Sequence, residues 1–370
     1  MKIFNNIVAV PPGETIKDEL EFLKMSQVEF SKRMGISEKH ISHLVNGEVA
    51  LTYDMAIKLE SVLGIEANFW NNLESKYREV LARIEEEEKQ EKEIEILNKM
   101  PVKELIKRGW INNTKDVKEQ IRELRSFFKI ASLDYFKDVE EKLLVVYNSL
   151  KEKNVGEEAI LFKKALDKEI CEYSMASWIR KAEIEAMEIE TKEFSKEKLE
   201  ENIIKIKALT KDNKRESIEV LKDLCSESGI ALVILPHLPK TYVDGVCKWI
   251  GKDKVLVILS NRGKKLDKFW FNFFHEIGHI MKHGKKDIFI NADETLGMKV
   301  VEEANLYAKN ILIPPKEFKL IKEMELTKSN ICVMANKLGI HPSIILGRLQ
   351  NEKIVEYTFL HELKENINIV

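Results

Sequence analysis

Residues 269–284 read FWFNFFHEIGHIMKHG and contain the pattern that decides the C-terminal fold, His275-Glu276-x-x-His279. Residues four apart lie on one face of a helix, so both imidazoles can reach a single cation. Zinc binds such nitrogens well, and a catalytic zinc has three protein ligands and a water, which Glu276 would face as general base. The stretch predicts a metal-binding helix with His275 and His279 as ligands, Glu276 as the catalytic residue, and Zn²⁺ as cofactor, with Mn²⁺ as the alternative.

The simpler interpretation is an ordinary helix that carries two histidines. Five aromatic residues precede the motif and would bury this helix: Phe269, Trp270, Phe271, Phe273 and Phe274. Two unligated imidazoles beside a carboxylate would be costly in such apolar surroundings. The composition of the helix therefore favours the metal site.

A third ligand is expected from a second helix that packs against the first. Residues 300–315, VVEEANLYAKNILIPP, offer Glu302 and Glu303, and the small side chains of Ala304 and Ala308 allow close helix packing. Adjacent residues point about 100° apart on a helix, so only one of the two glutamates can face the metal. We predict Glu303 as the ligand, with Glu302 as the alternative.

His283 continues the same helix face one turn after His279. It lies two turns from His275, which is too far for all three histidines to bind one ion comfortably. We therefore predict that His283 lies beside the ligands or at the helix end. Gly284 is the predicted C-cap.

HEIGHIMKH, followed by EEANLYAKNILIP, resembles the ImmA/IrrE family of metallopeptidases, in which an HExxH helix and a glutamate before Ala-Asn hold a divalent metal. VDGVCKWIGKDKVLVILSNRGKKLDKFWFNFFHE and GIHPSIILGRLQNE are similar to other parts of that family, so the resemblance runs from about Lys222 to the end. It implies hydrolysis of a protein substrate, a regulator such as a repressor or antitoxin. Asn272 stands where we would expect a threonine.

Three short runs, IALVILP, VCKWI and KVLVILS, predict strands of one small sheet before the motif helix. An exposed edge strand can bind a substrate peptide by main-chain hydrogen bonds. Lys254 to Ser260 is the predicted edge strand, and an internal strand is the alternative. Tyr242, His237 and Arg262 are candidates to polarise the scissile carbonyl, with surface or packing roles as the alternative.

The N-terminal run MSQVEFSKRMGISEKHISHLVNG, residues 25–47, predicts a helix-turn-helix with Ser26 and Ser37 as N-caps and Gly35 in the turn. The predicted buried side comprises Phe30, Met34, Ile36, Ile41 and Leu44. The second helix would present its other side to a DNA major groove, namely Glu38, Lys39, His40, Ser42 and His43. Gln27 and Ser37, at the two helix starts, complete the predicted DNA-binding residues.

The acidic balance of residues 1–78 leaves a second interpretation, a small helical bundle for protein contact, because DNA binding requires phosphate neutralisation. Residues 11–77, from PPGE to ESKY, resemble the XRE-type antitoxin domain of the HigA group, including the Asn-Phe-Trp segment and Tyr77. This resemblance implies a double-stranded DNA operator as partner. It also implies a homodimer on a two-fold operator.

The chain of 370 residues is long enough for two or three domains. We predict an α+β, predominantly α fold with a helix-turn-helix bundle at 1–78, a charged helical linker at 79–100, a helical middle domain at 101–215, and a zincin-like metallopeptidase domain with a small β-sheet at 216–370. PVKELIKRGWI and ASWIRKAEIEA resemble the helical linker of proteins that join the two modules.

The bulk composition excludes several classes of protein. A net charge of −2 gives no global argument for nucleic acid or membrane binding, so any DNA contact must be local. The four cysteines lack CxxC spacing, which disfavours a disulfide frame or a thiolate metal site. No stretch approaches 18 continuous apolar residues, so we expect a cytoplasmic protein without a membrane partner.

Two functional hypotheses follow. The first is a metal-dependent endopeptidase of the gluzincin type that cleaves a regulatory protein and is coupled to sequence-specific DNA binding. The second is an antitoxin-like transcriptional regulator whose peptidase-like domain binds or senses a partner without catalysis. The intact His-Glu-x-x-His pattern favours the first, because a sensor has no need of the general base.

Overall fold

The computed structural model describes residues 2–4, 7–137, 171–241, 244–261, 264–283 and 294–368. These residues are mostly helical, with a two-stranded hairpin and a three-stranded sheet, which confirms the predicted α+β, predominantly α class. The chain divides into two compact units, Met1–Asn98 with Asp116–Ile121, and Lys99–Lys115 with Arg122–Val370. None of the described helices is long and apolar enough to cross a membrane.

The N-terminal unit is built from a short hairpin and a series of helices. Its elements are β1 (Lys2–Phe4), β2 (Ile7–Ala9), α1 (Pro12–Phe22), α2 (Gln27–Met34), α3 (Glu38–Val45), α4 (Tyr53–Leu63) and most of α5 (Ala67–Lys99). A Cβ atom on Gly13 would overlap the backbone of Val45, so α1 and α3 approach more closely than a larger residue would allow. This contact fixes the position of α3 within the unit.

The helix-turn-helix is formed by α2 and α3, as the sequence predicts. The hydroxyls of Ser26 and Ser37 accept hydrogen bonds from the backbone N–H groups of Glu29 at 3.2 Å and His40 at 3.3 Å. Gly35 ends α2 with φ 63°, a left-handed conformation that favours glycine. The predicted buried residues lie in or against one hydrophobic core, which contains Phe30, Met34, Ile41 and Leu44 and is flanked by Ile36.

The long helix α5 runs without a break past residue 78, where the sequence suggests a domain boundary. Residues 79–98 lie in the N-terminal compact unit, and the linker predicted at 79–100 stays a prediction. Their buried positions are Ile84, Gln90, Glu93, Ile96 and Leu97. The charge density of this segment therefore conceals a buried face of the helix.

The second unit holds most of the described helices and the larger sheet. Its elements are α6 (Val102–Lys107), the greater part of α7 (Val117–Phe128), α8 (Glu172–Glu188), α9 (Lys196–Leu209), α10 (Arg215–Glu227), β3 (Ile230–Leu235), β4 (Gly245–Ile250), β5 (Lys254–Ser260), α11 (Leu266–Lys282), α12 (Glu294–Leu312), α13 (Pro315–Glu323), α14 (Lys328–Leu338), α15 (Pro342–Asn351) and a 3₁₀ turn (His361–Leu363). The described helices of the predicted middle domain thus fall mainly in the same unit as the C-terminal region.

The larger sheet has the strand order β3-β5-β4. β5 runs parallel to β3 and antiparallel to β4, so that Val257 pairs with Leu232 on one side and with Cys247 on the other. The prediction of residues 254–260 as the edge strand is therefore wrong. β5 is apolar along nearly its whole length because it lies between two strands and is buried.

α11 and α12 pack along each other, and α11 also contacts β4, β5 and α15. A Cβ atom on Gly278 would lie 3.0 Å from the Cα and carbonyl oxygen of Ala304, so the two helix backbones are close at this point. Ala304 and Ala308 are fully buried, which confirms the close packing predicted for them. The same hydrophobic core extends from α9 and α10 through the sheet to α15.

Candidate functional site

α11 carries the predicted metal motif on a helix that is largely buried. Its aromatic residues Phe269, Trp270, Phe273 and Phe274 lie in the core, while Phe271 packs against it. Asp267 in the first turn forms an ion pair with Lys364, and the Leu266 N–H donates to the carbonyl of Glu365 at 3.0 Å. These contacts hold the start of α11 in place and so set the direction of the His-Glu-x-x-His face.

His275 and His279 face each other at their Nε2 atoms, which are 3.0 Å apart. Two imidazole nitrogens that bind one tetrahedral zinc at about 2.0–2.1 Å lie about 3.3 Å apart. The observed separation is close to this value, and the rings are nearly perpendicular, with centroids 4.6 Å apart. The pair therefore has the geometry of two ligands that converge on one point.

Burial keeps both imidazoles neutral. It lowers the pKa of His279 to about 3, with further lowering from the neighbouring His275 and His283. Burial also lowers the pKa of His275, against a weaker opposite effect of the Asn305 side chain. Metal ligation requires neutral imidazole, so the surroundings select the form that can bind a metal.

Glu276 lies on the opposite side of α11 from solvent and packs against β4. Glu276 is only 6% exposed, and burial raises the pKa of its carboxyl group to about 7. Hydrogen bonds from the thiol and backbone N–H of Cys247 act in the opposite direction. A Cβ atom on Gly245 would lie 2.7 Å from Oε1 of Glu276, so only glycine leaves room for the carboxylate here.

Gly245 and Cys247 were not among the residues selected from the sequence. A glycine at the start of a strand is a signal of close approach by another group, and VDGVCKWI contains that signal. Nothing in the local pattern indicates which group approaches. The contact with Glu276 joins β4 to α11, and only the folded chain reveals it.

Glu302 and Glu303 differ in exposure and in their contacts, and both differences favour Glu303 as the predicted ligand. Glu302 is exposed, whereas Glu303 contacts Nε2 of His283 through its Oε2 at 3.1 Å. Nδ1 of His283 in turn lies 3.3 Å from Nδ1 of His279. His283 thus lies beside a predicted ligand, as expected from its spacing.

Within the described part of the chain, no group of three His, Cys, Asp or Glu side chains is arranged to hold a metal ion. His275 and His279 supply two converging nitrogens, while Glu303 is one contact away, through His283. The donor types suit zinc, which accepts imidazole nitrogen and carboxylate oxygen. The residues therefore fit a zinc ion directly at two positions, with Glu303 as the candidate for the third.

Of the three candidates for polarising a carbonyl, one, His237, is among the described residues. Tyr242 and Arg262 lie outside the described residues, as does Gly284, the predicted C-cap. His237 is exposed, and its backbone carbonyl accepts a hydrogen bond from Nη2 of Arg108 at 2.9 Å. The carbonyl-polarising role therefore stays a prediction without an assigned residue.

The helix-turn-helix places most of its predicted DNA-binding side chains at the surface. Five are exposed: Gln27, Ser37, Glu38, Lys39 and Ser42. His40 and His43 are half-buried, and Nδ1 of His43 contacts the carboxylate of Glu48. Ser37 also caps α3, so its hydroxyl has a structural role whether or not it contacts DNA.

Comparison with known families assigns both parts of the chain. A helix-turn-helix family model matches residues 16–70, and the model of the IrrE N-terminal-like domain matches residues 225–350. The chain contains an XRE-type helix-turn-helix domain and an ImmA/IrrE-like domain. It therefore combines a DNA-binding module with an IrrE-like domain of the peptidase family, and the latter contains α11, α12 and the larger sheet.

One curated protein and one solved structure each match a part of this chain. The uncharacterized HTH-type transcriptional regulator YddM of Escherichia coli strain K12 is 41% identical over 64 residues, which are 17% of this chain and 68% of that protein. An addiction module antidote protein of the HigA family from Coxiella burnetii is 34% identical in a match that covers 23% of this chain and 94% of that one, with a TM-score of 0.22.

Proposed function

We propose that this IrrE-like protein is a metal-dependent endopeptidase that cleaves a regulatory protein, such as a repressor or an antitoxin. The observation that carries the proposal is the pair of converging His275 and His279 nitrogens beside a buried glutamate on the same helix. Such a pair next to a carboxyl group is what hydrolysis by an activated water requires. Operator binding as a homodimer through α3 completes the proposal.

His275, His279 and Glu303 would hold the metal, Zn²⁺ or alternatively Mn²⁺, which would supply Lewis acidity and lower the pKa of a bound water. Glu276 takes a proton from the attacking water and returns it to the leaving nitrogen. A carboxyl group with a pKa of about 7 can both accept and donate a proton near neutral pH. Its burial against β4 is therefore part of its proposed catalytic role.

β4 is the strand that would bind the substrate. It is at the edge of the described sheet, in the strand order β3-β5-β4, and an extended peptide can be added to an edge strand by main-chain hydrogen bonds. The Gly245 and Cys247 contacts place Glu276 next to this strand. A peptide added to β4 would thus lie beside the carboxyl group that handles its protons.

The decisive experiment compares wild type with Glu276→Gln and His279→Ala. Each protein is loaded with zinc, and bound metal per chain is measured by plasma mass spectrometry. Each is then incubated with a peptide library made from a bacterial proteome, and new termini are identified by mass spectrometry. We expect near-stoichiometric zinc in wild type and Glu276→Gln, loss of zinc in His279→Ala, and cleavage by wild type alone. Absence of zinc from wild type, or cleavage by Glu276→Gln at the wild-type rate, would refute the proposal.

A second function is favoured by the position of Glu303. Its carboxylate contacts His283, and the described residues include no group of three side chains arranged to hold a metal ion, as in a domain that has no need of a complete metal site. In that case the protein is an antitoxin-like transcriptional regulator whose IrrE-like domain binds a partner without cleaving it. Operator and partner binding would then be unchanged in Glu276→Gln, and wild type would cleave nothing in the library.

A further inference from the structure

His283 lies between two of the proposed metal ligands although it is not one of them. Its Nδ1 is 3.3 Å from Nδ1 of His279, and its Nε2 is 3.1 Å from Oε2 of Glu303. The side chain is only 6% exposed, so it has little access to water as an alternative partner. One buried ring therefore connects a ligand on α11 with a ligand on α12.

The two contacts determine where the protons lie. An ionised carboxylate only accepts hydrogen bonds, so Nε2 of His283 must carry a proton and donate it to Glu303. In neutral His283, Nδ1 then has no proton and accepts from Nδ1–H of His279. His279, also neutral, is left with no proton on Nε2, the atom that faces His275.

A metal binds the unprotonated nitrogen of a neutral imidazole, and the partner of the other nitrogen selects which one that is. We infer that His283 is a positioning residue that fixes His279 with a free Nε2 and anchors the Glu303 carboxylate beside the histidine pair. The role as support for metal ligands rests on the proposed function. The proton arrangement itself belongs to the folded chain and exists without metal.

Lys299 cannot take over this role. Its Nζ is 4.0 Å from Oε1 of Glu303, and its side chain is 76% exposed. A flexible lysine at that distance contributes little to orientation. Among the described contacts of Glu303, the one with His283 is the contact that directs the carboxylate toward α11.

Two substitutions separate the two contacts. In His283→Asn the amide lies near the original Nδ1 and can still accept from His279, while the link to Glu303 is lost. In His283→Gln the amide lies near the original Nε2 and can still donate to Glu303, while the link to His279 is lost. His283→Ala removes both. His361, which is 82% exposed on its side chain, provides the control variant His361→Ala.

The first measurement is the tautomer of His279 in the metal-free full-length protein, from long-range ¹H–¹⁵N spectra of ¹⁵N-histidine-labelled samples. We expect the Nδ1–H form in wild type, His361→Ala and His283→Asn, and a mixture of tautomers in His283→Gln and His283→Ala. The second measurement is zinc affinity by competition with a chelator. Loss of such partners typically costs about 10- to 100-fold in metal affinity, which we expect for His283→Ala, with smaller losses for the two amide variants.

A single His279 tautomer in His283→Ala, the same as in wild type, would overturn the inference, as would zinc affinity equal to that of wild type. Circular dichroism and thermal unfolding identify any variant that fails to fold, and His283→Asn and His283→Gln then decide the tautomer question. If wild type binds zinc and shows the expected tautomer but cleaves nothing, the proposed function fails and the role of His283 stands. If wild type cleaves peptides and the His279 tautomer is the same with and without His283, the proposed function stands and the role of His283 fails.

Discussion

The helix-turn-helix and the IrrE-like site use their helices in opposite ways. α3 buries an apolar side and leaves Glu38, Lys39 and Ser42 exposed. α11 instead buries Glu276 and much of its histidine pair between β4 and α12. In the first region the side chains proposed to bind DNA add little to the packing, whereas in the second the side chains proposed for catalysis and metal binding are part of it.

This difference separates function from stability in one region and couples them in the other. A side chain on the exposed face of α3 can change with little effect on folding. A change beside Glu276 alters a buried titratable group and the backbone contacts that accommodate it. Substitutions in the two regions should therefore affect stability and activity differently.

The largest effect is expected for Gly245→Ala. The new Cβ would lie 2.7 Å from Oε1 of Glu276, and the flexible carboxylate would move away rather than the strand backbone. Because displacement of the proposed general base removes its contribution, we expect peptidase activity to fall on the order of 1,000-fold. Zinc content should stay near the wild-type level, since the three atoms nearest to the new Cβ all belong to Glu276.

The control for that variant is Gly251→Ala, in the turn between β4 and β5. Gly251 has φ 68° with no atom within 4 Å of a new Cβ, so alanine would strain the backbone without touching Glu276. We expect lower thermal stability and unchanged activity, the opposite of Gly245→Ala. Equal activity in the two variants would contradict the proposed packing of Glu276 against β4.

The next largest effect is expected from the ionisation of Glu276, which makes the stability of the metal-free protein depend on pH. Burial raises the pKa of Glu276 from 4.5 to about 7, so the folded state keeps a proton that the unfolded state releases. Folding is therefore disfavoured as pH rises from 4.5 to 7, by at most about 3 kcal/mol. Glutamine cannot ionise, so Glu276→Gln should gain stability over wild type as pH rises through this range.

Chemical denaturation of both metal-free proteins between pH 5 and 8 measures that gain. The difference between the two proteins removes the contribution of His279, whose lowered pKa acts in the opposite sense. The gain should level off above about pH 7. A difference that stays constant with pH would show that Glu276 is ionised in the folded protein.

The sequence predicted each element whose signal is local. The caps Ser26 and Ser37, the turn at Gly35 and the two buried helix faces follow from residue types a few positions apart. The close packing of α12 on α11 follows from small residues at helical spacing, Ala304 and Ala308. Here the physics that forms the element acts between near neighbours in the chain.

What the sequence could not show depends on contacts between distant segments. Whether β5 lies inside the sheet or at its edge depends on the crossover from β3, and a strand of seven residues with an apolar centre fits either position. The contact of Gly245 with Glu276 and the link from His283 to Glu303 join separate elements. The helical face of α5 was hidden because its buried stripe includes Gln90 and Glu93.

A smaller effect on stability is expected for Ser37→Ala. The Ser37 hydroxyl accepts a hydrogen bond from the His40 N–H, and loss of such a cap costs about 1 kcal/mol. Ser26→Ala is the matched control, because Ser26 caps α2 in the same way. Both should lower stability similarly in chemical denaturation, and only Ser37→Ala should also weaken operator binding. Equal weakening by both variants would assign the effect to stability alone.

The smallest effect on folding is expected for Lys39→Ala. Lys39 is exposed on α3, so its removal should change stability by less than about 0.5 kcal/mol. If Lys39 contacts a DNA phosphate, the slope of log affinity against log salt should decrease by about one, measured by fluorescence anisotropy with a labelled fragment of the protein's own promoter. Lys58→Ala, on α4, is the control, because Lys58 already pairs with Asp54 at 2.9 Å. A salt slope unchanged by Lys39→Ala would exclude a phosphate contact at Lys39. A large loss of stability would show that the exposed face of α3, like the buried face of α11, contributes to folding.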